Sequence, residues 1–356
     1  MDAKKTLAEF AVQVEAELDR FFNKLIPETQ RIAPEAVQAL EILHEYTLRK
    51  AKRLRAALFY YTYLMLGGQD KAEAVKTSMF IELVQSYLLI HDDVMDQDLL
   101  RRGKPTVHTI YKEFHKQMSY RQDPLHFGES EAINVGDIAC HLALDVLTTA
   151  NFPAENKIKA LHALNRQITT VGYGQILDVF GSVQEKIGET DVMRIHNYKT
   201  AVYTYETPLL VGALLMGASD KDGLVLSGYA IPAGIAFQIQ DDILGMFGDE
   251  DKLGKANDSD LREGKHTLLI VKALEKATEA ETELIKKALG NPELTDEMAD
   301  TVREIVKCTG SLEYSKNLAV KLVKEAKAAL AARPQWQGEG RAFLDGIADY
   351  MINREF

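Results

Sequence analysis

"MFIELVQSYLLIHDDVMDQDLLRRGKPT", residues 79–106, sets a long apolar run against a dense cluster of charge. The twelve residues from Met79 to Ile90 carry one carboxylate, whereas the sixteen that follow carry four aspartates and two adjacent arginines. So apolar a run is not a solvated helix face, and its acidic end lies at the mouth of a cavity in the core. Asp92 and Asp96 are four apart, so a helix puts both on one face, roughly 6 Å apart along the axis. Two anions at that spacing repel unless something neutralises them. A hard divalent ion such as Mg²⁺ suits the site, because it takes oxygen ligands and is held by one or two carboxylates together with substrate phosphates. Arg101 and Arg102 fit the same polyanion, since guanidinium forks pair with phosphate oxygens, and Gly103 lets the backbone come close.

A second stretch repeats the arrangement. "GIAFQIQDDILGMFGD", residues 234–249, is again an apolar helical run ending in an aspartate pair, Asp241 and Asp242. Facing acidic clusters would clamp one diphosphate through two or three Mg²⁺ ions acting as Lewis acids, with an apolar tail lying along the helices below.

The rest of the chain agrees with a helical frame. Apolar positions recur at three and four in Leu7, Phe10, Val14 and Leu18 and in Leu318, Leu322, Ala326 and Leu330, while alternating strand patterns are nearly absent. The expectation is an all-α fold, a large helical bundle around a central cavity, with ten or more helices. Breaks are expected at Pro27, Pro34, Gly67-Gly68, Pro124, Pro153, Gly181, Gly188 and Pro334, with residues 25–34 a short connector. Residues 245–265 form a long polar loop punctuated by glycine, of a length that is usually functional. At 356 residues, 46% hydrophobic and 27% charged, with no composition shift or linker, the chain is expected to form one domain, 1–356. A net charge of −11 argues against a nucleic-acid partner, and no uncharged apolar run suggests a stable membrane anchor. Cys140 and Cys308, far apart, fit a reducing cytoplasm better than a disulfide or zinc framework.

The blocks taken together resemble the trans-polyprenyl diphosphate synthases over roughly residues 45–350. "HDDVMDQDLLRRGKPTVH" is similar to the family's first aspartate-rich motif, DDxxD followed by RRG, and "FQIQDDILGMFGD" to its second. The resemblance implies the isoprenoid synthase fold and a short-chain enzyme that condenses an allylic diphosphate with isopentenyl diphosphate. It also implies metal ligation by Asp92, Asp93, Asp96, Asp241 and Asp242. "AKRLRA" is similar to the GKxxRP block, implying that Lys52 and Arg55 grip isopentenyl diphosphate, although Ala51 and Ala56 replace its glycine and proline. Gln85 matches a further contact to that substrate and Arg102 joins them. "GYGQILD" matches GQxxD, implying that Gln175 and Asp178 lie near the reacting carbons, and "YKTAVYT" matches the KT block, with Lys199 and Thr200 at the allylic diphosphate. Arg101, Gln238 and the loop lysines Lys255 and Lys265 are implied there too. Pairing into homodimers is the family's habit.

Ionisation, condensation and proton loss follow from that set, with no protein nucleophile, and the loop at 245–265 would exclude water. Chain length depends on the cavity floor. Helix geometry alone nominates Leu88, four before Asp92, while the resemblance brings in Tyr87, whose aromatic ring five before a first motif without insertions is similar to enzymes making C15 or C20 products. Geranylgeranyl diphosphate is favoured over farnesyl diphosphate. A terpene cyclase would show an NSE or DTE metal motif, which is not found. Gly245, standing where many relatives carry the third aspartate of the second motif, leaves a catalytically silent subunit as the other alternative.

Overall fold

The computed structural model describes residues 2–184, 187–249 and 257–354. Ten helices lead from the N-terminus to the second acidic pair: α1 Ala3–Ile32, α2 Val37–Leu48, α3 Leu54–Met65, α4 Lys71–Met95, α5 Val107–Gln117, α6 Pro124–Thr149, α7 Ala154–Val183, α8 Glu189–Ile195, α9 Thr207–Leu215 and α10 Asp220–Phe247. A π-helix, His196–Glu206, stands between α8 and α9. Further helices follow, among them Ser259–Arg262, Ser311–Leu330 and Gly338–Asn353.

Local chemistry sets many of these boundaries. Asp70 caps α4 by accepting from Glu73 N at 3.0 Å, and Ser219 and Asp222 form a reciprocal capping box at the start of α10. Two expected breaks fall elsewhere. Pro27 lies inside α1, so the expected connector 25–34 is helical to Ile32, and Gly181 lies inside α7. Proline removes one hydrogen bond of the ladder, which a thirty-residue helix anchored by Leu7, Phe10, Val14, Leu18 and Phe22 in the core withstands. The one sheet among the described residues is a hairpin of two-residue strands, Leu100–Arg101 with Lys104–Pro105.

α10 runs through the interior, packed against the π-helix, α9 and the helices Ser311–Leu330 and Gly338–Asn353. It is long and apolar enough to cross a membrane by composition alone, and here Tyr229, Ala230 and Ala236 on it are fully buried. α4 packs on α3 and α6, with Phe80 edge-on to Phe59 at 5.5 Å between ring centres. Two close approaches bring the functional helices together. A Cβ on Gly174 of α7 would lie 2.4 Å from the backbone nitrogen of Lys199, and one on Gly234 of α10 would lie 2.5 Å from Ala201 Cα. Both glycines let a neighbouring helix press against the π-helix that carries Lys199 and Thr200.

Candidate active site

The C-terminal turns of α4 and α10 meet at two adjoining cavities. Asp92 and Asp241 line both: an apolar one of about 580 Å³ and a polar one of about 400 Å³. Carboxylates near a helix C-terminus face the negative end of its dipole, so neither pair is there to stabilise its helix. Asp92 accepts from Gln175 Nε2 at 3.1 Å and stands 3.3 Å from Lys199 Nζ, which in turn lies 2.5 Å from Asp178. Asp96, the C-cap of α4, lies 3.4 Å from Lys265 Nζ. Burial disfavours charge at both aspartates. At Asp92 the cations Lys199, Arg101 and Lys265 outweigh it and hold the carboxyl below its ordinary range. At Asp96 burial and the neighbouring Asp92 anion prevail and push the carboxyl up.

This donor set fits magnesium. Its accessible groups are carboxylate oxygens, and among the described residues no three acidic, histidine or cysteine side chains are gathered closely enough to hold a metal alone. An ion that takes one or two carboxylates and completes its shell with water and substrate phosphate needs no more.

Asp93 is corrected as a metal ligand. It is fully buried, one oxygen accepting from Tyr46 Oη at 2.7 Å and the other from Arg101 Nε at 2.6 Å. One step along a helix turns a side chain by about 100°, so Asp93 leaves the face shared by Asp92 and Asp96. Asp242 lines the polar cavity, its Oδ1 accepting from Gln238 Nε2 at 2.7 Å, while its buried Oδ2 has no hydrogen-bond partner among the described residues, with His196 Nε2 3.1 Å away. Gln238 also accepts from Thr200 Oγ1 at 2.8 Å. Asp241 pairs with Arg354, near the end of the chain. Lys255 lies outside the described residues.

A cationic pocket adjoins the acidic one. In the hairpin turn, Arg102 and Gly103 both have positive φ, 55° and 74°, the signature of a type I′ turn. Two adjacent arginines are thereby sent to opposite sides. Arg101 turns to Asp93 and Asp98, while Arg102 turns back to donate to the carbonyl of Arg49 at 3.1 Å. There it faces Arg53 and Arg55, and burial together with those charges lowers its guanidinium below the ordinary value. Burial and nearby Arg354 likewise bring Lys52 down to about 8, against the pull of Asp241. Arg55 donates to Thr204 Oγ1 at 2.7 Å and lies over the Tyr203 ring. Its Nε, like Gln85 Oε1, is buried with no hydrogen-bond partner among the described residues, and both residues line the apolar cavity. Crowded buried cations, and polar atoms left without a described partner beside a cavity, suit a polyanionic ligand. Tyr87 and Leu88 line the same cavity, together with Leu89, Ile168, Val171 and Phe237.

Residues 37–307 match the polyprenyl synthetase family. The chain belongs to it. Among similar proteins, the geranylgeranyl diphosphate synthase of Sulfolobus acidocaldarius is 35% identical over 346 residues, covering 94% of this chain and 98% of that protein. The enzyme of the same name from Methanosarcina mazei is 34% identical, with 86% of each chain covered. A crystal structure of geranylgeranyl pyrophosphate synthase from Corynebacterium glutamicum, complexed with isoprenyl diphosphate and magnesium, superposes with a TM-score of 0.91 at 29% identity, covering 99% of this chain and 100% of that one. The fold is that of the isoprenoid synthases, and the protein is a short-chain prenyltransferase.

Several residues of this polyprenyl synthetase site were silent in the sequence. Arg49 and Arg53 are buried, the first bonded to Glu45 and the carbonyls of Arg101 and Pro105, the second to Glu15 and Glu82. Arg53 lies inside "AKRLRA", and in the sequence only its position beside Lys52 hints at a role. His196, Glu82 and Arg354 had no sequence signal, because their partners come from distant segments.

Proposed function

We propose that this enzyme condenses an allylic diphosphate with isopentenyl diphosphate in a magnesium-dependent reaction that lengthens the chain to C20. The observation that carries this reading is the junction of an acidic pocket, a cationic pocket and one apolar cavity at the ends of α4 and α10. Asp92, Asp96 and Asp241 would hold two or three Mg²⁺ ions, with Asp242 and its partners supporting the second pole. Bound there, magnesium would supply Lewis acidity toward the departing diphosphate. Lys199, Lys265 and Arg101, with Thr200 and Gln238 beside them, bind and orient the allylic diphosphate and stabilise the charge that grows on it. Lys52, Arg55, Arg102 and Gln85 hold isopentenyl diphosphate so that its double bond faces the allylic carbon. Gln175 and Asp178 line the space between. The released diphosphate takes the proton that the product loses.

The apolar cavity takes the growing chain, and Tyr87 and Leu88 limit its length. Exposed apolar side chains on α6 and α7, among them Ile133, Ile158 and Tyr173, support pairing into a homodimer, and the separate free thiols of Cys140 and Cys308 suit the cytoplasm. The purified chain should elongate dimethylallyl, geranyl or farnesyl diphosphate with isopentenyl diphosphate when Mg²⁺ is present, run as a dimer in light scattering, and stop when the metal is chelated. Silence with every primer would instead favour a non-catalytic subunit, the alternative that Gly245 raises.

A further inference from the structure

The second acidic segment ends in Gly245, and the fold brings a carboxylate to that position from another element. A Cβ built on Gly245 would lie 2.9 Å from Asp260 Oδ2 and 3.7 Å from its Cγ. An aspartate at 245 would place its own oxygens about 2.4 Å from the same Cβ, by ordinary bond lengths. An oxygen of Asp260 therefore lies at a distance from this Cβ close to that of a third aspartate's own oxygens, in space that its side chain would have to share.

Asp260 stands in the short helix Ser259–Arg262, which packs on α10. It lines the polar cavity together with Asp92, Asp241, Gly245, Lys199 and Lys265. Its charge acts on the Lys265 ammonium, and its carbonyl accepts from Lys265 N at 2.9 Å. Gly245 is buried in the last turns of α10, in a helix interior where glycine is among the poorest formers. Space for Asp260 gives it a reason to be there.

We propose that Asp260 is the third carboxylate of the second acidic pole, acting with Asp241 on a divalent ion directly or through its bound water, and that Gly245 is the space this carboxylate requires. This rests on the assignment of Asp92, Asp96 and Asp241 as the metal-binding carboxylates. Outer carboxylates that orient a ligand or its water typically change metal affinity by about 10–100-fold.

The test is Mn²⁺ binding to the full-length protein in the presence of inorganic diphosphate, followed by the loss of the free-ion paramagnetic resonance signal. Asp260→Asn should weaken binding at least about 10-fold. Gly245→Ala should weaken it by a similar factor, because the added methyl meets the tip of a flexible side chain and displaces it without reaching backbone, which also keeps the test open if Asp260→Asn misfolds. The double variant should bind no worse than Asp260→Asn alone, since both changes remove one carboxylate. Wild-type affinity in both single variants, or additive losses in the double, overturns the role of Asp260. Asp241→Asn is the control. If it is weakened while the others are not, the acidic pole stands and only Asp260 is lost; if it too binds like wild type, the pole itself is wrong.

Discussion

Lys52 shows how a binding residue is tuned by its surroundings. Burial and Arg354 bring its ammonium down to about 8, so it begins to lose its proton just above neutrality. The sign follows directly. Below pH 8 the ammonium is present and attracts diphosphate; above it the neutral amine does not, and binding must then take up a proton. The KM for isopentenyl diphosphate should be flat to about pH 7.5 and rise above pH 8, while that for the allylic substrate does not follow the same limb. Lys52→Arg should remove the limb, because guanidinium stays charged, and Arg354→Ala should move it upward. A flat wild-type profile from pH 7 to 9.5 would count against Lys52 as a contact. Tyr87 poses a question of volume. Its ring lines the apolar cavity and packs edge-on to His91 with 4.9 Å between centres. Tyr87→Ala should extend the product by at least one five-carbon unit, read by chain-length analysis of the dephosphorylated products. An unchanged product would leave Leu88 as the limiting residue.

At the scale of elements, the site depends on how the π-helix His196–Glu206 is seated. Its widened turns carry Lys199 toward Asp92 and Asp178 on two other helices. Gly174 of α7 lies against this backbone, and an added methyl there would meet Lys199 N at 2.4 Å, main chain that no rotamer change can clear. Gly174→Ala should cost about 1–3 kcal/mol of stability and lower kcat more than it raises either KM, measured by thermal unfolding and steady-state kinetics. Activity and stability like wild type would show that the two helices can part without harm. Elements of this kind were the least legible. The existence of α4 and α10 followed from their apolar runs, but a π-helix differs from an α-helix in hydrogen-bond register, which residue type does not encode. The residue types of the RRG turn point to a phosphate contact, yet its hairpin, which separates the two arginines, depends on Arg49 reaching the carbonyls of Arg101 and Pro105 from α2's C-terminus.

On the scale of the whole molecule, the fold gathers like charges that local stability would keep apart. Burial and the Asp92 anion raise Asp96, so neutralising Asp96 removes a repulsion along with a ligand. Asp96→Asn should leave thermal stability unchanged or slightly higher, yet lower kcat by on the order of 10²–10³. A large loss of stability in this variant would mean that Asp96 is structural. Helix class, the two aspartate pairs, the RRG block and the basic block could be read from the chain alone, because apolar periodicity and residue chemistry are local properties that survive without a partner. Which aspartates face the cavity, how Arg101 and Arg102 divide, that Arg354 sits on Asp241 and that Asp260 stands beside Gly245 were decided only by tertiary packing. The reason is that burial and pairing are properties of segments far apart in sequence, and their charges acquire a role only where the folded chain sets them against one another.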